Sequence, residues 1–258
     1  MTDWNADLYL KFADERTRPA RELLARVPLE SAATAVDLGC GPGNSTALIA
    51  ERFPEAAITG VDTSPAMLEK ARAALPNCTF IEGDVATYAP EWPADLIFGN
   101  AVLQWLGDHE SLFPLLMQRL APGGALAIQM PDNLGEPSHR AMRETAADGP
   151  WAGKLSRAAA SRTKILSTEA YYDLLAPLAD EIDVWRTTYS HVMEGPAAIV
   201  TWLKATGLRP FLAPLDESEQ TGFLAAYEAR LSESYRPRAD GKVLLHFPRL
   251  FIVARRKA

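Results

Sequence analysis

Short apolar runs alternate with helix-like stretches through the first half of the chain. The runs cover residues 35–38, 57–61, 79–82, 94–100 and 125–130. Each run has the length of a buried strand, and the segments between them carry apolar residues at helical spacing. Strands that alternate with helices favour a parallel sheet covered by helices on both faces. The pattern over residues 34–131 therefore predicts an α/β, Rossmann-like core with a doubly wound sheet.

Helical patterns dominate the segments that flank this core. Residues 4–27 predict an N-terminal helical lead-in, and helices are expected at 136–180 and again at 195–240. Two further strands are expected at 182–193 and 243–254. No repeat or linker divides the sequence, so we expect all 258 residues to form one domain.

Composition and charge narrow the possible partners. The chain is 48% hydrophobic and 23% charged, with a formal net charge of −7, which argues against nucleic acid as the main partner. No apolar run approaches the roughly 18 residues of a membrane-spanning helix, so no membrane partner is expected. The polar N-terminus is unlike a secretory signal, and the cytoplasm is the expected location. Cys40 and Cys78 lie too far apart to predict a metal site or a disulfide framework.

A glycine-rich turn follows the first predicted strand. Gly39, Gly41 and Gly43 alternate with other residues, and glycine lets the backbone pass close to a ligand. A helix is expected to begin directly after the turn, with Asn44 or Ser45 as its cap. The N-terminus of that helix would offer N–H groups to polar ligand atoms.

Acidic residues mark the ends of three successive predicted strands. Asp37 ends the first strand, Asp62 ends the second, and Asp84 follows the third. Asp62 lies 19 residues after Gly43 (positions 43 to 62), the spacing at which a carboxylate accepts from ribose hydroxyls. Asp84 is placed to accept from an adenine amino group. A nicotinamide dinucleotide fingerprint is disfavoured, because it needs glycine at Asn44 and has no place for Asp37.

In their order and spacing, these motifs resemble the class I S-adenosylmethionine-dependent methyltransferases. The resemblance is carried by D-L-G-C-G-P-G at 37–43, G-V-D at 60–62, G-D-V at 83–85 and L-A-P-G-G at 120–124. It implies S-adenosylmethionine as the methyl donor. The implied cofactor-binding residues are Asp37, Gly39, Gly41, Gly43, Asp62, Thr63, Met67, Asp84, Val85 and Asn100, with Arg16 or Arg18 on the cofactor carboxylate.

The same resemblance implies how the remaining segments are used. Residues 34–131 would be the cofactor-binding core, and residues 1–30 a helical lid segment. The helical segments 136–180 and 195–240 would be inserted as a substrate cap. The C-terminal strand would run antiparallel at the edge of an otherwise mostly parallel sheet.

Charge differs between the two halves of the chain in a way that suits such an enzyme. Residues 1–135 hold 9 Lys/Arg and 18 Asp/Glu, whereas residues 136–258 hold 17 and 15. An acidic half suits a cationic sulfonium cofactor, and the more basic half suits a substrate of opposite sign. Arg143, Arg186 and Arg209 are the expected substrate clamp, because an arginine fork binds carboxylates in a bidentate manner.

Around the fourth strand end, the sequence indicates the type of nucleophile. Asn100 is followed by Ala-Val-Leu, whereas methyltransferases that act on base or glutamine amino groups resemble one another through N-P-P-Y or D-P-P-Y. A small oxygen or carbon nucleophile is therefore favoured. Asn100 is expected near the reacting methyl group, and Trp105 is expected to wall off the transfer pocket. The competing interpretation of Trp105 is a plain core residue.

A closer resemblance spans nearly the full length, including the cap. It is carried by segments at 3–5, 15–20, 103–106, 129–133, 185–189, 205–210 and 247–256. These resemble family members that methylate a carboxylate of a small tricarboxylic acid. An ionised carboxylate needs no general base, so no catalytic acid or base is expected.

Further substrate candidates in this half are Tyr171, Tyr189, His191, Trp202 and Arg249. Of these we assign His191 to the substrate site. Two alternatives stay open. One is an O-methyltransferase that acts on another small acid or on a natural product, where a phenol would need His191 as its base. The other is a non-catalytic protein that binds S-adenosylmethionine alone.

Overall fold

Seven strands form one sheet in the computed structural model, which describes residues 13–158, 164–204 and 206–258, with side chains from residue 17 onward. The strands are β1 Thr34–Leu38, β2 Ala57–Asp62, β3 Thr79–Glu82, β4 Ala94–Asn100, β5 Leu120–Pro131, β6 Ala179–Met193 and β7 Val243–Arg256. The lead-in predicted over residues 4–12 and the side chain of Arg16 lie outside these described residues.

Strand order in the sheet is β3-β2-β1-β4-β5-β7-β6. The first five of these strands are parallel, whereas β7 runs antiparallel to β5 and β6 runs antiparallel to β7. The predicted fold class is confirmed, including the antiparallel C-terminal edge. The edge is a pair of strands, because β6 covers the outer side of β7.

Ten helices are present in the described part of the chain. They are α1 Ala13–Ala25, α2 Asn44–Arg52, α3 Pro65–Ala74, α4 His109–Gln118, α5 Pro137–Ala147, α6 Ala152–Leu155, α7 Thr168–Leu175, α8 Pro196–Lys204, α9 Arg209–Leu212 and α10 Glu217–Ser234. A 3-10 turn at Leu103–Trp105 follows β4. Within the described ranges, no helix is long and apolar enough to cross a membrane.

Alternating side chains of the central strands fill two hydrophobic clusters, one on each face of the sheet. Val36 of β1 and Ile97 of β4 point to one face, where α4 and α7 pack. Ala35 and Phe98, their neighbours in sequence, point to the other face, where α1 and α2 pack. Both faces are buried, as expected for a parallel sheet covered by helices.

A third hydrophobic cluster joins α5, α6, α8, α9 and α10 to the ends of β6 and β7 that extend beyond the parallel strands. Trp151 packs edge-on against Phe223 of α10, with ring centroids 5.5 Å apart. The Tyr227 hydroxyl of α10 donates to the Ser138 carbonyl of α5 at 3.1 Å. We call this group of five helices the cap.

Helix α7 lies apart from the cap, although the sequence places it in the same predicted insertion, 136–180. Its Tyr171 and Leu175 are fully buried in the cluster beneath the sheet. The insertion therefore divides, with α5 and α6 in the cap and α7 on the sheet.

The side-chain cap that the sequence predicts for α2 is wrong, whereas α3 does begin with a side-chain cap. The Ser64 hydroxyl accepts from the Met67 N–H and caps α3, with Pro65 as the first helical residue. Asn44 and Ser45 do not cap α2. Its N-cap is Gly43 with φ 95°, a left-handed conformation that glycine adopts readily, and Ser45 turns its hydroxyl inward.

Candidate active site

A cavity of about 760 Å³ lies between the carboxyl ends of the parallel strands and the cap. Ligands of open parallel sheets bind at this edge, outside the strand ends. The strand side of the cavity is lined by the glycine turn and the residues after β2, β3 and β4. The cap side is lined mainly by residues of α8, α9 and β7.

The glycine turn presents bare backbone to the cavity. Gly39 has φ 65°, and a Cβ there would lie 2.4 Å from the Val102 side chain. Gly41 has φ 54°, and a Cβ there would meet no atom within 4 Å. Both glycines line the cavity, so the open space beside Gly41 is where a bound ligand can approach the main chain. Gly43 does not line it and instead packs against α3, with Leu75 3.2 Å from its would-be Cβ.

Asp37 lies beneath the turn and is fully buried. The hydroxyls of Ser45 and Thr46 each donate to its Oδ2 at 2.7 Å. Burial raises the pKa of Asp37 to about 7, and the nearby Asp62 charge adds to the rise, while the two hydroxyl hydrogen bonds oppose it. Asp37 is not part of the cavity lining, so its predicted contact with the cofactor stays a prediction.

Asp62 and Asp84 are the carboxylates that line the strand side of the cavity. Asp62 accepts from the Gly41 N–H and the Ser64 N–H, both at 2.9 Å, one on each oxygen. These bonds tie the glycine turn to the end of β2 and leave further lone pairs for a ligand. Asp84 accepts from the Ala86 N–H at 2.9 Å. Thr63, Met67 and Val85 line the cavity beside them, and their predicted contact with the cofactor stays a prediction.

Between the two sides lies the turn after β4. Ala101 has φ 57°, an unusual conformation for a residue with a Cβ; its N–H donates to the Gln129 carbonyl at 2.9 Å, and its own carbonyl accepts from Gln104 Nε2 at 2.6 Å. Asn100, Gln104 and Trp105 all line the cavity here. Asn100 Oδ1 and Gln104 Oε1 are buried with no hydrogen-bond partner within the described residues. The turn after β4, which forms the junction between the two sides, therefore offers hydrogen-bond acceptors to a ligand that carries donors.

Two arginines line the cap side. Arg209 begins α9, and Arg249 lies in β7 with only 4% of its surface exposed. Arg249 donates from Nη1 to Gln129 Oε1 at 3.1 Å, and its guanidinium lies 4.8 Å from the centroid of the Phe247 ring. Among the described lining residues, the carboxylates are thus on the strand side and the guanidiniums on the cap side. The sequence predicts Arg209 as a substrate residue and names Arg249 only as a further candidate.

Three other predicted arginines lie outside the cavity lining. Arg18 pairs with Glu22 at 2.8 Å, Arg143 donates to the Leu134 carbonyl at 2.8 Å, and Arg186 pairs with Asp132 at 3.1 Å. Their predicted contacts with cofactor or substrate stay predictions.

His191 also lies outside the lining, packed 4.6 Å from the Trp202 ring. Burial lowers the pKa of His191 to about 4, and the charges of Arg249 and Arg18 lower it further. This imidazole is therefore neutral at neutral pH. Its predicted contact with substrate also stays a prediction.

Gln129 was not singled out from the sequence and Arg249 was named only as a further candidate, although a signal for both residues exists. Gln129 and Arg249 each interrupt an apolar strand, at 125–130 and 247–254. A polar residue inside a buried strand must be hydrogen-bonded, so such an interruption points to a partner or a ligand. Asn133 and His139 line the cavity from the loop before α5 and from α5 itself, and no pattern distinguishes them from core or surface residues.

The strand order, the glycine turn between β1 and α2, and acidic residues after β2 and β3 together define a class I methyltransferase. The family model described as a methyltransferase domain matches residues 35–124.

Full-length relatives narrow this class. Trans-aconitate 2-methyltransferase of Methylobacterium radiotolerans is 62% identical over 258 residues, with 99% of each chain covered. The enzyme of that name from Paracidovorax citrulli is 60% identical over 260 residues, with 100% of each covered. The chain belongs to the trans-aconitate 2-methyltransferase family. Phosphoethanolamine N-methyltransferase 2 of Haemonchus contortus, solved with S-adenosyl-L-methionine, shares the fold alone: the TM-score is 0.54 at 19% identity, over 93% of this chain and 53% of that one.

Proposed function

We propose that this chain is an S-adenosylmethionine-dependent carboxyl O-methyltransferase that converts trans-aconitate to its monomethyl ester. The observation that carries the proposal is the division of charge in the cavity, with Asp62 and Asp84 on the strand side and Arg209 and Arg249 on the cap side. A cationic methyl donor and an anionic acceptor fit such a cavity in one orientation only. The relatives at 62% and 60% identity carry the name of this activity.

The strand side fits S-adenosylmethionine by the chemistry of its groups. Asp62 would accept from the ribose hydroxyls and Asp84 from the adenine amino group, with Thr63, Met67 and Val85 beside the adenosine. The orphaned acceptors of Asn100 and Gln104 suit an ammonium donor. When bound, S-adenosylmethionine supplies a methyl group whose bond to sulfur breaks as a carboxylate oxygen bonds to the carbon, leaving S-adenosylhomocysteine.

The protein's own contribution is to orient the reactants and to exclude water. A carboxylate is already ionised at neutral pH, so no side chain has to remove a proton. Holding two reactants in line at contact distance contributes about 7–11 kcal/mol to lowering the barrier. Trp105 and the Ala101 turn lie at the junction of the two sides, where they would close off the reacting atoms. Arg209 and Arg249 would hold the carboxylates that do not react.

Substitution of the two arginines tests this function. Arg209→Gln and Arg249→Gln should each raise the KM for trans-aconitate about 10- to 100-fold, because each removes a charge-assisted hydrogen bond. Arg238→Gln, at an exposed arginine outside the cavity, is the matched control and should leave KM unchanged. The Kd for S-adenosylhomocysteine, measured by calorimetry, should stay constant in all three. Unchanged KM values in both cavity variants would refute the clamp.

Several narrower expectations belong to this proposal. Arg186 pairs with Asp132 outside the cavity lining, and Arg186→Gln tests whether Arg186 also holds a substrate carboxylate. The lid role of residues 1–30, the contact of Arg16 or Arg18 with the cofactor carboxylate, and the cytoplasmic location stay predictions. The natural-product alternative would need a base that reaches the acceptor. His191, its candidate, is outside the lining.

A further inference from the structure

Much of the cap side of the cavity is supplied by one short stretch of chain, the α9 segment, which covers residues 206–215 and leads into α10. Its lining residues are Thr206, Gly207, Arg209, Pro210, Leu212 and Ala213. Helix α9 has only four residues, and a helix of that length is not stable by itself. The place of Arg209, its first residue, therefore depends on what holds the segment.

The start of the α9 segment is attached to α8 and to the core of the cap. The Thr206 and Leu208 N–H groups both donate to the Leu203 carbonyl at 3.0 Å. Leu208 and Phe211 are buried, and the Phe211 ring stacks on Phe223 of α10 with centroids 6.1 Å apart. These contacts hold the apolar side chains of the segment and the residues before α9.

Gln220 of α10 holds the other end of α9. Its Nε2 donates to the Leu212 carbonyl at 3.1 Å and to the Leu215 carbonyl at 3.0 Å. The peptide group that carries the Leu212 carbonyl also carries the Ala213 N–H, which donates to the Arg209 carbonyl at 3.0 Å. The side chain of Gln220 is thus connected to the backbone of Arg209 through a single peptide group.

Gln220 also lines the cavity, but its amide is not suited to bind an anion directly. A carbonyl only accepts, so the two hydrogens of Nε2 both point to the carbonyls of the α9 segment. The amide oxygen is what remains for a ligand, and it is an acceptor. At neutral pH the carboxylates of trans-aconitate are ionised and also only accept. The influence of Gln220 on the acid must therefore pass through the segment that it holds.

We propose that Gln220 is a positioning residue that sets the affinity for the acid, because it fixes the end of α9 and thereby orients Arg209. This inference rests on the proposed function. A guanidinium binds a carboxylate through two parallel hydrogen bonds that require a defined geometry. Arginine has a long side chain, so a small shift of the α9 backbone becomes a larger displacement at the guanidinium. The hydrogen bonds of Gln220 prevent that shift.

Replacement of Gln220 by methionine tests this role. Gln220→Met removes both hydrogen bonds and keeps the length and bulk of the side chain, and Gln118→Met makes the same change at an exposed position of α4. The KM for trans-aconitate should rise about 10-fold in Gln220→Met and should not change in Gln118→Met. The Kd for S-adenosylhomocysteine should stay within about twofold of the wild-type value in both variants.

Combination with Arg209→Gln separates positioning from a merely structural role. If Gln220 acts through Arg209, adding Gln220→Met to Arg209→Gln should change KM by less than about twofold. A further rise of about 10-fold in that background would show a general loosening of the cap and would refute the inference. Should Gln220→Met fail to fold, Gln220→Asn, whose amide is one methylene shorter, takes its place in the comparison.

The same series distinguishes failure of this role from failure of the proposed function. If Arg209→Gln raises KM and Gln220→Met does not, or if Gln220→Met raises KM and the S-adenosylhomocysteine Kd together, the role of Gln220 alone is wrong. If the wild type does not methylate trans-aconitate, or if Arg209→Gln leaves KM unchanged, the proposed use of the cavity is wrong and the role of Gln220 is wrong with it.

Discussion

Asp37 is a carboxyl group that the fold buries completely beneath the glycine turn. Burial raises its pKa from an ordinary value near 4 to about 7, so the native state holds this proton more tightly than the unfolded chain does. Between pH 4 and pH 7 the native state therefore binds more protons, and the stability contributed by Asp37 falls as the pH rises through that window.

Comparison with Asp37→Asn isolates this contribution. Relative to that variant, the wild type should lose about 4 kcal/mol of unfolding free energy between pH 4 and pH 8. Urea unfolding of both proteins without cofactor, at several pH values in that range, measures the difference. A gap between the two proteins that stays constant with pH would show that Asp37 titrates normally.

Gly41 and Gly241 form a matched pair for testing ligand approach to the turn. They have φ 54° and φ 80°, and a Cβ at either would meet no atom within 4 Å. Alanine should destabilise the fold by about 1 kcal/mol at each position. Only Gly41→Ala places its methyl group in the cavity, so it alone should weaken S-adenosylhomocysteine binding by about tenfold or more. Equal Kd values for the two variants would place the cofactor elsewhere.

For single residues, the sequence predicts where strand ends place a side chain better than it predicts that side chain's hydrogen-bond partner. Asp62 and Asp84 are found on the cavity wall because a strand end fixes where its last side chain lies. Ser45 was expected to cap a helix and instead bonds to Asp37, since a hydroxyl takes whichever buried acceptor the tertiary packing supplies. The contact of Arg249 with Gln129 joins residues 120 positions apart, which no local pattern reveals.

Among the elements, the 3-10 turn Leu103–Trp105 carries the cavity residues Gln104 and Trp105. Hydrogen bonds connect this turn to α4 and α7. His109 of α4 contacts the Leu103 carbonyl through Nε2 at 2.9 Å and the Tyr171 hydroxyl through Nδ1 at 2.6 Å. A carbonyl only accepts, so Nε2 carries the proton and Nδ1 accepts from Tyr171. The same hydroxyl also accepts from the Leu166 N–H at 3.3 Å.

Tyr171→Phe should therefore destabilise the protein by about 1–3 kcal/mol. The change leaves the buried His109 Nδ1 without a hydrogen-bond donor and weakens the support of the 3-10 turn. Tyr172→Phe is the matched control, since its neighbouring ring is 53% exposed. That change should stay within about 0.5 kcal/mol of the wild type. Urea unfolding compares the two. Equal stabilities would mean that the His109–Tyr171 pair does not support the turn.

Elements with strong periodicity were predicted closely, and their packing was not. The bounds of β4 agree with the sequence, because they are set by local pattern and turn residues. The division of residues 136–180 between cap and sheet follows from which cluster each helix can reach. The choice depends on chain geometry in three dimensions. The amphipathic pattern of α7 would suit packing on the cap as well as on the sheet.

Across the whole molecule, the uneven charge of the sequence appears again in the cavity. The half with 18 Asp/Glu supplies the carboxylates Asp62 and Asp84, and the half with 17 Lys/Arg supplies Arg209 and Arg249. The cap, built from the second half, thus places cations opposite the strand ends. Net charge alone indicated only the absence of nucleic acid as a partner. The fold brings these opposite charges to the two sides of one cavity.

The proposed reaction is tested by transfer of a tritiated methyl group from S-adenosylmethionine to an acid. Trans-aconitate, cis-aconitate, citrate and a phenolic acid are offered as acceptors to the wild-type enzyme. We expect strong and selective labelling of trans-aconitate, with the label released by mild base because it is held in a methyl ester. Labelling of the phenolic acid alone would support the natural-product alternative. Absence of labelling in every acid, with S-adenosylhomocysteine still bound, would contradict catalysis altogether.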